Sequence, residues 1–174
     1  MCGVSTLVVD LKGLTDDTTV FRYSLNDDYF KVVDAPDVRR GSLECVLTVR
    51  KGEGFFNLDF HTEGYVLIPC DRCLADMEQP ISTDDKVVVK FGAEYSDEDD
   101  FLTVSEEEGV LDISWLVYEF VALNIPIKHV HAAGMCDAAM ERLLEEHSAN
   151  YKDSDEGGSP DPRWSKLMEL TDKN

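Results

Sequence analysis

Apolar and polar residues alternate along the first half of the chain, which predicts β-strands with one buried face. The clearest strands are predicted at 42–50, 55–61 and 85–91, and weaker ones at 5–11, 18–23, 65–69 and 77–82. The segment 25–33 fits either a short paired strand or an irregular segment whose apolar side chains fill the core. Glycine-bearing turns are expected at 51–54 and at Glu63 and Gly64. Strands joined by such short turns form an antiparallel meander.

The pattern changes to a helical period after Asp112, which is a candidate N-cap. This helix is predicted to end before Pro126, since a residue that precedes proline avoids helical backbone angles. A second helix is predicted over 136–147. The apolar stripes are expected to contain Ile113, Leu116, Val117, Phe120 and either Leu123 or Asn124 in the first helix, and Met140, Leu143 and Leu144 in the second. Trp115 and Tyr118 lie off the first stripe.

These patterns predict a single α+β domain over residues 1–147. Its core is expected to be a strongly bent antiparallel sheet or a partly closed β-barrel, with two or three C-terminal helices. Residues 148–174 are rich in Ser, Asp and Gly at first and then open a short helix at Asp161 and Pro162. We expect a flexible acidic linker whose terminal helix docks on the domain.

The charge balance is strongly acidic, with 16 Lys and Arg against 36 Asp and Glu and a formal net charge of −20. Such a chain repels nucleic acid at long range and attracts basic proteins, among them ribosomal proteins. The same charge also fits a role in solubility alone. The acidic runs at 94–100 and 106–108 are either solvated loops or a docking site for a basic partner.

Direct RNA binding would require a local basic patch. The candidate residues, which also fit scattered solvated charges, are Arg39, Arg40, Arg50, Lys51 and Arg72. The sequence shows no membrane-spanning apolar run and no secretory leader, so we expect a cytoplasmic protein without a membrane partner. No nucleotide-binding loop or catalytic triad is evident, and we expect no small-molecule substrate.

Three of the five cysteines are candidates for chemistry. Cys70 and Cys73 are two residues apart, a spacing that turns two sulfurs toward one point. Together with His131 and Cys136 they supply a Cys3His ligand set for a structural Zn2+, with His129 as the competing histidine. Cys2 is expected to be a free terminal thiol, and Cys45 a small buried residue.

Two alternatives to zinc remain open at this point. The cysteines are reduced thiols without metal, or Cys70 and Cys73 form the redox pair of a thiol oxidoreductase. The redox interpretation lacks its usual βαβ context, since the pair ends a predicted antiparallel strand. No helix N-terminus is then available to lower a thiol pKa.

The stretch from Gly64 to Leu74, with its Pro-Cys-Asp-Arg-Cys core, resembles the signature of the YceD family, the large ribosomal RNA subunit accumulation proteins. Three further features occur in the family's order: a helix that ends at Pro126, His131 followed by Cys136, and a terminal Asp-Pro-Arg-Trp segment at 161–164. Some family members carry a richer cysteine cluster after the proline, whereas this chain has only Cys136 there.

The resemblance implies a non-enzymatic ribosome-assembly factor that supports accumulation of large-subunit ribosomal RNA. Its partner would be precursor rRNA or a basic ribosomal protein. A zinc-stabilised binding module for another basic protein is the competing interpretation, beside the oxidoreductase.

Overall fold

Seven strands and three helices make up the computed structural model, which describes residues 7–93, 95–96 and 101–148. In chain order they are β1 (Val8–Asp10), β2 (Thr18–Leu25), α1 (Asp27–Val32), β3 (Arg40–Lys51), β4 (Phe55–Pro69), β5 (Asp76–Gly92), β6 (Leu102–Ser105), β7 (Val110–Asp112), α2 (Ser114–Leu123) and α3 (Ala138–His147). The α+β class is therefore confirmed.

Five strands form one sheet in the order β2-β3-β4-β5-β6, and β1 pairs with β7 in a second, two-stranded sheet. The predicted antiparallel meander is present from β2 to β5, but β6 pairs with β5 in parallel. Within the described residues β2 and β6 are the two edges of an open sheet. The predicted partial closure into a barrel is thus not confirmed.

The central strands are longer than the sequence pattern predicted, with 15 residues in β4 and 17 in β5. The turn expected at Glu63 and Gly64 was wrong, because β4 continues through both residues. A Cβ atom on Gly64 would lie 2.3 Å from the carbonyl oxygen of Ser42 on β3. Glycine is required there by this close approach of two backbones, and its φ of +145° disfavours other residues.

The inward face of the sheet carries the core, as the alternation predicted. Its fully buried members include Leu43, Cys45, Leu47, Val49, Leu58, Phe60, Val66 and Val89. The rings of Phe60 on β4 and Phe120 on α2 meet edge to face, 5.3 Å apart. Helix α2 therefore packs against the sheet through an aromatic pair.

The ambiguous segment at 25–33 forms helix α1. Asn26 caps it by accepting hydrogen bonds from the backbone N–H groups of Asp28 and Tyr29. Tyr29 and Phe30 are buried, and the Tyr29 hydroxyl donates to the carbonyl of Ser114 at 2.8 Å. This hydrogen bond connects helix α1 to the first turn of α2.

Helix α2 buries Val117 of its predicted stripe and packs Leu116 and Phe120 against the core, but its buried face also includes Tyr118 and excludes Leu123. Its buried residues are Ser114, Val117, Tyr118 and Val121, whereas Leu123 is 83% exposed. Tyr118 lies inward because its hydroxyl reaches Asp37, whose backbone N–H donates to it at 3.3 Å. Ile113 occupies the N-cap position, and the predicted cap Asp112 instead accepts from the Ser114 N–H at 2.8 Å.

Contacts divide the chain into two compact units, Met1–Asp137 and Ala138–Asn174. Of the second unit, the structure describes α3 and Ser148. The expectation that Met140, Leu143 and Leu144 point inward was wrong, since α3 has no buried residue. The predicted linker and terminal helix lie almost entirely outside the described residues. None of the described helices has the length and apolar character needed to cross a bilayer.

Candidate metal centre

The turn between β4 and β5 presents the first two cysteines. Pro69 ends β4, and the backbone then closes on itself: the Leu74 N–H donates to the Cys70 carbonyl and the Cys70 N–H to the Ala75 carbonyl, both at 2.9 Å. Leu74 takes a left-handed conformation with a φ of 61°. This reversal returns the chain to β5 at Asp76 and holds both sulfurs on one side.

The segment after α2 is clamped onto this turn by Asp71. The Asp71 N–H donates to the carbonyl of His129 at 2.9 Å, and the His129 N–H donates to the Asp71 carboxylate at 2.8 Å. The imidazole of His129 contacts the carbonyl of Pro126 at 3.0 Å and the same carboxylate at 3.4 Å. His129 therefore helps to hold the segment after α2 against the cysteine turn, and it is not a member of the cluster formed by the cysteines and His131.

Four ligand atoms, from Cys70, Cys73, His131 and Cys136, lie within 4.8 Å of one another. The Sγ of Cys73 is 3.3 Å from Nδ1 of His131. A tetrahedral zinc site with bonds of about 2.0–2.3 Å separates its donor atoms by roughly 3.3–3.8 Å. The Cys3His cluster therefore has the chemistry and the approximate spacing to hold a metal ion.

Backbone N–H groups surround the sulfur of Cys70. The N–H groups of Arg72 and His131 each donate to this sulfur at 3.4 Å. Such bonds spread the negative charge of a thiolate over the protein backbone. The side chains of Cys70 and Cys73 are only 0% and 4% exposed, so this charge would be held away from water.

The thiols differ in their tendency to ionise. Burial alone raises the pKa of Cys70, but hydrogen bonds from the N–H groups of Cys73, His131 and Arg72 outweigh it and lower the pKa to about 6. The N–H of Asp137 is the main cause that lowers the pKa of Cys73. Burial, followed by the two other cysteines, raises the pKa of Cys136 to about 11. A cation at the centre would relieve this repulsion among thiolates.

The sequence analysis overlooked the role of Asp71, which positions the histidine segment without being a ligand. A carboxylate between two cysteines is the only local signal for it. The partner, His129, is 58 positions away, and only the tertiary structure reveals their bond.

The five basic residues nominated for partner binding are exposed and lie in two groups at opposite ends of the sheet. Arg39 and Arg40 lie where β3 begins, and Arg50 and Lys51 lie where the same 12-residue strand ends. At about 3.4 Å per residue the two pairs are roughly 35 Å apart. Exposed ion pairs join Arg40 to Asp76 and Arg50 to Asp59. Arg72 lies in the cysteine turn.

The family model for the large ribosomal RNA subunit accumulation protein YceD matches residues 58–171. The chain belongs to the YceD family. The matched region begins within β4 and includes the cysteine turn, Asp71 and the histidine segment, so the whole Cys3His cluster is part of the YceD match. Strands β1 to β3 precede the matched residues. No curated protein and no solved structure gives a significant match to the chain.

Proposed function

We propose that this YceD-family chain is a non-enzymatic ribosome-assembly factor, which supports accumulation of large-subunit ribosomal RNA in the cytoplasm. It would bind precursor rRNA or a basic ribosomal protein. The family match over residues 58–171 is the observation that carries the proposal. The net charge of −20 supports attraction to basic proteins.

We further propose that the Cys3His cluster holds a structural Zn2+. Three sulfurs and one imidazole are a ligand set typical of structural zinc, and no ligand position would be left for water. Such an ion would link the end of β4 to the segment after α2. Its role would be to hold these two segments together.

The redox alternative draws support from the lowered pKa of both Cys70 and Cys73. Thiolate character favours disulfide exchange as well as metal binding. However, Cys70 and Cys73 are buried, and exchange requires access for an attacking thiolate. Both facts fit a metal site better than a disulfide that reacts with other proteins.

Deletion of the gene tests the assembly role. We expect sucrose gradients of the deletion strain to show less large-subunit particle, and RNA quantification to show less large-subunit than small-subunit rRNA. Restoration by the wild-type gene is the control. Unchanged rRNA levels and particle profiles would refute the proposal.

A separate assay addresses the enzymatic alternative. Purified chain, metal-free or metal-loaded, is expected to give no turnover of a dithiol–disulfide substrate above the rate of a Cys70→Ser variant. Turnover that depends on both cysteines would favour the oxidoreductase instead.

A further inference from the structure

An apolar groove lies away from the cysteine cluster, between α1, β7 and the start of α2. Its volume is about 450 Å3. The lining includes Val32 at the end of α1, Val110 on β7, and the aromatic residues Tyr95 and Trp115. A groove of this size accommodates a few side chains of a ligand or peptide.

The aromatic rings of the groove are accessible to a partner. Trp115 is 50% exposed and Tyr95 is 63% exposed, although large aromatic residues usually bury most of their surface. The indole of Trp115 also contacts the ring of Tyr118, with 5.2 Å between centroids. Since Tyr118 is buried in the core, this contact restricts the position of the Trp115 ring.

The charge of the groove is negative. Asp112 lines it, and none of the described residues of the lining is Lys or Arg. The carboxylate of Glu119 accepts a hydrogen bond from the Trp115 indole N–H at 2.7 Å, which places a second negative charge at the edge of the ring. Three exposed glutamates, at 106–108, form the turn that leads into β7.

We propose that this groove binds a lysine- or arginine-bearing segment of a basic protein. A cation over the face of Trp115 would be attracted by the ring, and the nearby carboxylates would add to this attraction. The apolar floor would receive a neighbouring aliphatic side chain. The net charge of −20 would speed encounter with such a partner and disfavour RNA at the same surface.

This inference rests on the proposed function for the class of partner, and it selects a basic protein over rRNA for this surface. The probe is a short fluorescein-labelled peptide of lysine and leucine, with fluorescence anisotropy as the readout. A glutamate–leucine peptide of equal length and labelled oligouridylate are the comparison ligands. We expect saturable binding of the lysine peptide alone, weakening as salt is added.

Variants of the full chain locate the binding. Trp115→Ala is expected to weaken peptide binding about threefold to tenfold, and Trp115→Phe to retain most of it because a ring remains. Glu119→Lys should weaken binding more than Glu119→Gln does. Leu123→Ala, on an exposed position of the same helix outside the groove, is the matched control and should bind as the wild type does.

Equal binding by wild type, Trp115→Ala and Glu119→Lys would overturn the inference, and so would tighter binding of oligouridylate than of the peptide. Because Trp115 is exposed, we expect its variants to fold, and circular dichroism of each variant checks this. If Trp115→Ala fails to fold, the comparison of Glu119→Lys with Glu119→Gln decides whether the peptide binds in the groove. Peptide binding in the groove together with normal rRNA levels in the deletion strain would instead refute the proposed function, while the inference that the groove binds a basic segment would stand.

Discussion

Nδ1 of His131 lies 3.3 Å from Sγ of Cys73, although 58 positions and the whole of β5, β6, β7 and α2 separate the two residues. This contact joins the turn between β4 and β5 to the segment that follows α2. A metal ion held by the cluster would therefore close a large loop of the chain, and it would stabilise the folded state by binding to it preferentially.

Substitution of a cysteine in the cluster should remove the metal. We expect mass spectrometry of the purified chain to find about one zinc per molecule, and Cys70→Ser to find almost none. At free zinc about a hundredfold above the dissociation constant, binding adds about 3 kcal/mol to the free energy of unfolding. Chelation should remove this increment from the wild type. Cys2→Ser, which changes a thiol outside the described residues, is the control, and zinc-free wild type would contradict the prediction.

The two histidines should behave differently. His131→Ala removes a donor atom of the cluster and should lower zinc affinity by more than the roughly tenfold to hundredfold loss that removal of a mere supporting group causes. His129→Ala leaves all four donor atoms in place and should have a much smaller effect. Competition titrations with a zinc-binding dye measure both. Equal losses for the two variants would show that our assignment of the ligand is wrong.

Asp71 should affect metal affinity only by positioning the histidine segment, and not as a ligand. Asp71→Ala removes the carboxylate that accepts from the His129 N–H, so the histidine segment loses a tether. Loss of such a supporting group typically costs about tenfold in metal affinity while the stoichiometry stays unchanged. Glu78→Ala, an exposed carboxylate on β5, is the matched control. An unaltered affinity in Asp71→Ala would refute the role of the clamp.

Gly64→Ala should destabilise the sheet strongly. The added Cβ would lie 2.3 Å from the Ser42 carbonyl oxygen and 2.6 Å from the Cα of Leu43, so the two strands must separate. We expect a loss of about 3 kcal/mol in the free energy of unfolding, measured by urea denaturation. Gly54 also has a positive φ, of +86°, but nothing lies within 4 Å of its added Cβ. Gly54→Ala should therefore cost only about 1 kcal/mol, and equal costs at the two sites would contradict the argument from close approach.

The ion pairs of His61 should make the stability of the sheet depend on pH. Its Nδ1 contacts Asp84 on β5 at 2.8 Å, and its Nε2 contacts Glu63 at 3.1 Å. The hydrogen bond with Asp84 is the largest cause that raises the pKa of His61 above 6.5. Because the folded-state pKa is raised, this stabilisation is fully present below the ordinary pKa and is lost as the pH rises through the folded-state value.

An NMR titration of the His61 ring tests this directly. Asp84→Asn should bring the pKa back toward 6.5, and Glu63→Gln should lower it less, since Asp84 makes the larger contribution. A pKa that does not change in Asp84→Asn would contradict the pairing.

Local pattern predicted most of the strands but not their lengths. Alternation of apolar residues identified the inward face of β3 and β4 because side chains on successive strand residues point to opposite faces. It divided β5 in two and placed a turn at Gly64, since glycine in a turn and glycine under a neighbouring strand look the same in sequence. The pattern also left Tyr118 off the buried face of α2, because Tyr118 owes its place to Asp37, 81 positions earlier.

The sequence by itself determined the strand-forming segments, the acidic charge and the identity of the thiol and imidazole groups, because these are properties of residues and of local spacing. Only the tertiary structure decided that β6 pairs in parallel, that His131 and not His129 adjoins the cysteines, and that Trp115 borders a groove. Each of these depends on contacts between distant segments, whose free energy is gained only when the whole sheet has formed.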